Sequence, residues 1–193
     1  MFIVLDGIDC CGKDTQIELL SKWLKPQLII QCPNRETQTG AIIDSFLDGT
    51  TKLHRMAQIA LFEANRWEWC DVVTSALKKN GTVLANRWFQ SGMAYALGSG
   101  ERYLEAASAL TVGLPQPDLS IIIDISVGES VRRKKNRDAF EGDNDFLSRV
   151  REGFLKLSTS HGWLVVDGEK APSEVFATIQ HEIQTRQSSM KAC

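Results

Sequence analysis

The sequence predicts an α/β fold built on a parallel sheet, and three observations carry that prediction. Short apolar runs rich in β-branched residues recur along the chain, and helical patterns separate them, as when covering helices join parallel strands. A glycine-bearing loop leaves the first run and enters the first helical pattern, the context of a phosphate-binding loop. The length, 193 residues, suits a single domain over residues 1–193 with a substantial core.

The elements follow in order. Residues 2–5 (FIVL) form the first buried strand, and residues 14–24 the first helix, with Ile17, Leu20 and Leu24 on one face. Residues 28–30 make a second strand. The pattern over 51–79 is long enough for two helices. A third strand occupies 82–85, and a helix runs over 101–113. The segment Leu114-Pro115-Gln116-Pro117-Asp118 cannot continue that helix and delivers the chain into a fourth strand at 119–125. Helices are expected at 129–137 and 144–159, a fifth strand at 163–166 and a last helix at 173–186. Residues from about 187 are polar and expected to fray. No repeat or linker interrupts this order, and ligands are expected at the carboxyl ends of the strands.

Composition narrows the function. Apolar residues are 43% and charged residues 24%, ordinary for a soluble globular protein. A net charge of −2 argues against a nucleic-acid binder, which needs a basic face. No apolar run approaches the ~20 residues that span a bilayer. Met1 leads straight into a strand, without the flanks of a secretory signal. The five cysteines, Cys10, Cys11, Cys32, Cys70 and Cys193, have neither disulfide-framework nor zinc spacing. Reduced thiols in a cytoplasmic protein are expected.

Phosphate chemistry is written in the first loop. Gly7 and Gly12 with Lys13 fit G-x-x-x-x-G-K, whose inward N–H groups, helix terminus and lysine ammonium all attract phosphate oxygens. The position after the lysine normally carries a Ser or Thr hydroxyl that helps hold Mg²⁺; here it is Asp14. Further candidates follow the other strands. Arg35, just past Pro33, reads either as a grip on a second phosphate or as a solvated loop residue. Phe62 and Arg66 are four apart on one helical face, so they read either as a nucleobase pocket or as core ring and surface cation. Asn86-Arg87 end the third strand, where many phosphate-loop enzymes carry an acid. The basic run 132–137 reads as a nucleic-acid patch, a solvated helix end or a lid over a transferring phosphoryl group. No N-K-x-D motif is present, which argues against a GTPase switch.

Together these residues resemble the thymidylate kinase family. The likeness rests on the loop Gly7-Ile8-Asp9-Cys10-Cys11-Gly12-Lys13-Asp14-Thr15-Gln16 and on Pro33-Asn34-Arg35. It also rests on L-F-x-A-N-R-W-E at 61–68, on Asn86-Arg87-Trp88 with Ser91 through Tyr95, and on G-L-P-x-P-D-L at 113–119. The resemblance implies a P-loop NTPase-type three-layer fold, a five-stranded parallel sheet flanked by helices, commonly a homodimer. It implies transfer of the γ-phosphoryl group of ATP to dTMP with Mg²⁺. A kinase for dUMP or a 5-substituted relative, or a relative impaired in catalysis, stays open beside it. Residue by residue, it implies that Gly7 through Thr15 and Lys13 hold ATP phosphates. Asp9 contacts the sugar 3′-hydroxyl or nearby phosphate, and Arg35 and Arg87 clamp the acceptor phosphate. Phe62 stacks on thymine, Arg66 bonds its carbonyl edge, Tyr95 lies against the sugar, where it disfavours a 2′-hydroxyl, and Ser91 is among the substrate-binding residues. The loop 167–172 lies near adenine.

Four positions depart from the family. Cys10 stands where some members carry a loop arginine, and Asp138-Ala139-Phe140-Glu141 lacks the lid arginine. Arg133 and Arg137 are the nearest substitutes within a lid of about 132–144. Asp14 and Asn86 are the other two, and the expectation is an exchange. The metal-binding carboxylate moves to Asp14 while Asn86 gives one up, which keeps the charge constant.

Overall fold

The computed structural model describes residues 1–133 and 143–191. Five strands form one sheet: β1 (Phe2–Asp6), β2 (Leu28–Gln31), β3 (Val83–Asn86), β4 (Leu119–Asp124) and β5 (Leu164–Asp167). All pairings are parallel and the order is β2-β3-β1-β4-β5. Strand β1 is central and wholly buried, which explains its uninterrupted apolar run. The register sets Leu5 beside Asn86 and Ile121, so β1, β3 and β4 discharge their loops at one edge. That edge carries the site.

The helices are α1 (Lys13–Leu24), α2 (Gln38–Leu47), α3 (Arg55–Trp67), α4 (Cys70–Lys78), α5 (Phe89–Ser99), α6 (Glu101–Leu110), α7 (Val127–Arg133), α8 (Asn144–His161) and α9 (Pro172–Lys191). Helices α1 and α9 pack together, and α8 runs along α5 while touching β4 and β5. The sheet is thus flanked by helices, as expected, and the 51–79 pattern does divide into two.

Two helices depart from the sequence expectation altogether. Helix α5 buries Phe89, Gln90, Ser91, Met93, Ala94, Ala96 and Gly98, so it has no polar face from which an amphipathic period emerges. Helix α2 is short, and Thr37 caps it by accepting from the Gly40 N–H at 3.1 Å. Its buried residues Ile43, Phe46 and Leu47 form a small core with Leu53, Leu61 and Phe62, separate from the main one around the sheet.

Candidate active site

The loop between β1 and α1 is shaped by its glycines and closed by its lysine. Gly7 has φ +137°, and a Cβ there would stand 2.4 Å from the Ile123 carbonyl oxygen, so only glycine fits. Ile8 and Cys11, each 1% exposed, anchor the loop in the core. The Lys13 ammonium donates to the carbonyls of Gly7 (3.2 Å) and Ile8 (2.9 Å) and lies 3.4 Å from the Cys11 thiol. It therefore spans the loop, held by neutral acceptors that an anionic phosphate oxygen outcompetes. Asp14 and Thr15 are exposed beyond it at the start of α1.

The two anomalous positions touch. Asn86 Nδ2 donates to Asp14 Oδ1 at 2.6 Å. A carboxylate only accepts, so the amide must face it with its nitrogen; this turns Asn86 Oδ1 inward, where it has no partner among the described residues. The exposed Asp14 carboxylate is a hard oxygen donor of the kind Mg²⁺ takes, and Asn86, facing it with its nitrogen, orients it without adding a second oxygen. No cluster of three or more metal-binding side chains occurs among the described residues. Mg²⁺ needs none, because it is usually held by one or two carboxylates together with substrate phosphates and waters.

Asp6, the last residue of β1, ties the loop to α5. It is fully buried, and its Oδ1 accepts from the Gly7 N–H (2.8 Å) and Ser91 Oγ (2.6 Å). Its Oδ2 accepts from the Ser91 N–H (2.9 Å) and the Trp88 N–H (3.3 Å). Helix α5 has no side-chain cap of its own, so Asp6 caps it from across the sheet. Arg87 sits between them in the left-handed region, φ +67°, an uncommon conformation for an arginine. This turn aims its guanidinium back over the loop. Nη1 donates to the Gly7 carbonyl (2.8 Å) and Ser91 Oγ (3.1 Å), and Nη2 pairs with Asp9. Burial alone lowers the Arg87 pKa; Asp9, Tyr95 and Asp6 outweigh it and hold the guanidinium firmly charged.

A pocket opens beside this cluster. Asp9, Arg35, Phe62, Arg66, Arg87, Ser91 and Tyr95 all line it. The structure thus brings together every residue that the sequence assigned to the acceptor side. Arg35 Nη1 is 2.7 Å from Asp44 Oδ1 and about half exposed at the rim. Arg66 is only 3% exposed and pairs with the equally buried Glu63 at 2.7 Å. Burial pushes the Glu63 carboxyl above its usual value, and Arg66 draws it partly back. Cys32 also lines the pocket, and burial pushes its thiol up to about 12, so it acts as an apolar group.

Of the other predicted residues, Arg133 reaches the loop from the end of α7. Arg133, expected over the transferring phosphoryl group, instead donates to the carbonyls of Cys10 (3.3 Å) and Gly168 (3.0 Å) and pairs with Glu129 at 2.6 Å. It bridges the phosphate loop and the 167–172 loop, whose Pro172 carbonyl accepts from Gln16 (2.9 Å). Arg137 and most of the expected lid lie outside the described residues. Sequence reasoning missed Asp6, Glu63, Arg55 and Gln58. Asp6 had a signal, a lone carboxylate closing an otherwise apolar strand. Arg55 and Gln58, which line the pocket, had none beyond lying on the face that Phe62 shares.

The chain is similar to known proteins along nearly its whole length. The family model described as thymidylate kinase matches residues 5–179. A thymidylate kinase of Prochlorococcus marinus (strain MIT 9312) is 31% identical over 202 residues, covering 95% of this chain and 93% of its own. One of Thermosipho africanus (strain TCF52B) is 33% identical over 196 residues, covering 95% and 98%. The solved thymidylate kinase of Candida albicans superposes with a TM-score of 0.86 at 26% identity, covering 96% of this chain and 92% of that one.

Proposed function

We propose a division of labour among these residues from one premise: the chain belongs to the thymidylate kinase family, and so moves the γ-phosphoryl group of ATP onto dTMP, giving dTDP and ADP. The observation that carries the division is the pocket itself, which gathers the acceptor-side residues beside the phosphate loop.

The backbone from Gly7 to Thr15 and the Lys13 ammonium hold the ATP phosphates. Arg133 and the 167–172 loop flank the donor nucleoside. Arg35 at the rim and Arg87 at the boundary clamp the acceptor phosphate, and Asp9 keeps Arg87 aimed. The attacking oxygen of a monophosphate is already anionic, so transfer needs alignment and charge neutralisation rather than a strong base. Lys13 and Arg87 supply that positive charge, both reaching the Gly7 carbonyl at the start of the loop. Phe62 stacks on thymine, Arg66 bonds its carbonyl edge, and Tyr95 with Ser91 lies against the sugar, where Tyr95 disfavours a 2′-hydroxyl.

Asp14 would hold Mg²⁺ with Asn86 as its neighbour; the bound ion supplies charge neutralisation between the donor phosphates. The exchange of carboxylate and amide between α1 and β3 is supported by their direct contact. We take residues 1–193 as one catalytic domain. A homodimer is supported by the apolar side chains left exposed on and beside α3 and α6, among them Met56, Trp67, Leu110 and Val112. Cytoplasmic residence is supported by the free thiols of Cys11, Cys32 and Cys70. No described helix is long and apolar enough to cross a membrane.

The test is a coupled ADP-release assay with ATP and a panel of deoxynucleoside monophosphates. Turnover of dTMP that disappears in Lys13→Ala is expected, with ribo-UMP far slower. Absence of turnover with every monophosphate would overturn the proposal.

A further inference from the structure

Glu63 lines the pocket, and the preceding roles give it no work. Its side chain is 1% exposed. Oε1 accepts from Arg66 Nη1 at 2.7 Å, while Oε2 is buried without a partner among the described residues, and Arg66 Nε is in the same state. A carboxylate offers about four lone-pair sites, so a buried one held by a single bond is far from satisfied. Gly92 provides the room it occupies. A Cβ at Gly92 would stand 1.9 Å from Glu63 Oε1 and 3.0 Å from Arg66 Nη1. Gly92 lies on α5 one turn before Tyr95, and both line the pocket. The carboxylate thus fills the space in which a side chain from α5 would otherwise enter. The result is an acceptor-only group fixed beside a donor-only group at a buried wall.

A pyrimidine with an imide edge matches that wall. Thymine and uracil present a carbonyl oxygen next to a ring N–H. Cytosine presents the reverse, an amino group next to a bare ring nitrogen. We propose that Glu63 is a specificity-determining residue: its second oxygen accepts the ring N–H adjacent to the carbonyl read by Arg66, so that the pocket takes 4-oxo pyrimidines and rejects 4-amino ones. This rests on the role given above to Arg66. In that pose cytosine would set its amino hydrogens against the guanidinium and its ring lone pair against the carboxylate. Both contacts repel, and a site built on paired polar groups discriminates strongly against an analogue that leaves them unpaired. Were Glu63 instead to accept the 4-amino group, the preference would invert.

The test compares kcat/KM for dTMP, dCMP and 3-methyl-dTMP in the wild type, Glu63→Gln and Glu63→Ala. The wild type is expected to favour dTMP over each of the others by about a hundredfold or more. Both variants are expected to narrow those two ratios by about tenfold or more, chiefly through KM. A Glu63 that merely supports the fold lowers all three substrates alike and leaves the ratios unchanged, which overturns the proposal. Wild-type turnover of dCMP equal to that of dTMP overturns it too. Should the variants not fold, calorimetric binding to the wild type decides: equal affinity for dTMP and 3-methyl-dTMP refutes the contact, and markedly weaker binding of the methylated base supports it. Loss of all turnover would count against the kinase reading, while the calorimetric ratio would still test Glu63.

Discussion

Replacing Asp6 by alanine removes the acceptor shared by the phosphate loop and the first turn of α5. Three backbone N–H groups, those of Gly7, Trp88 and Ser91, lose their partner in an interior that water does not reach. A buried donor left unsatisfied costs about 1–3 kcal/mol. The Trp88 bond is long at 3.3 Å and the Ser91 hydroxyl can turn elsewhere, so the lower part of the summed range applies, about 4 kcal/mol. Asparagine keeps one oxygen. With its nitrogen in place of Oδ1, the Ser91 hydroxyl rotates to accept, Gly7 N–H is orphaned and Arg87 Nη1 loses a long contact of 3.4 Å while keeping its other acceptors, a loss of about 1–3 kcal/mol. Urea denaturation at neutral pH measures both. At this chain length each kcal/mol moves Tm by about 2–4 °C, so the alanine variant should melt about 8–16 °C early. Its kcat/KM should fall for ATP and dTMP together, because one carboxylate positions parts of both sites. An Asp6→Ala variant within about 1 kcal/mol of wild type would refute the reasoning, as would an asparagine variant as unstable as the alanine one.

Asp14→Ser should lower Mg²⁺-dependent turnover and weaken Mn²⁺ binding in the nucleotide complex by about tenfold or more, and adding Asn86→Asp should restore part of both. Simple additivity of the two losses would sink the exchange. Arg133→Ala should raise KM for ATP about fivefold while leaving KM for dTMP nearly unchanged, since its bonds join the two donor-side loops. The opposite split would place Arg133 on the acceptor side. Glu129 should titrate at about 2 instead of its usual 4.5, because Arg132 and Arg133 donate to its carboxylate. A lowered folded pKa means a contribution present above 4.5 and lost as the pH falls toward 2. An NMR titration giving a value near 4.5 would remove that ion pair from solution.

The strands were legible because each is written as a short apolar run, even β2 and β5 at the sheet edges, which are only partly buried; all five appear within a residue or two of their expected ends. Helix α5 was not, since a helix covered on every side carries no period to read. The loop residues were legible from spacing, Arg35 and Arg87 from their placement after strands, and Phe62 and Arg66 from sharing a helical face, while Asp9, Ser91 and Tyr95 rested on the family resemblance. Arg87 could be placed at a strand end, but its left-handed backbone could not. Only the fold shows that its guanidinium returns to the loop and Asp9. Glu63 was invisible for a different reason. A glutamate on an amphipathic helix reads as surface, and its burial depends on Gly92, a glycine on another element. Asp14 and Asn86 read from the sequence as compensating departures on opposite sides of a metal site; their direct hydrogen bond is visible only in the fold.

The small core beneath α2 has a mechanical meaning. Asp6 binds the loop and α5 to the central strand, so those parts of the site move only when the sheet itself gives way. Helix α2 is seated on three buried side chains and their few neighbours, and it carries Asp44, the partner of Arg35. Its opening therefore draws on a fraction of the buried area that holds β1. Amide protons of Ile43, Phe46 and Leu47 should exchange through local excursions, while those of Ile3, Val4 and Leu5 should wait for global unfolding. The molecule presents dTMP with a floor of one stiffness and a wall of another, and the softer of the two is the one nearest the entrance.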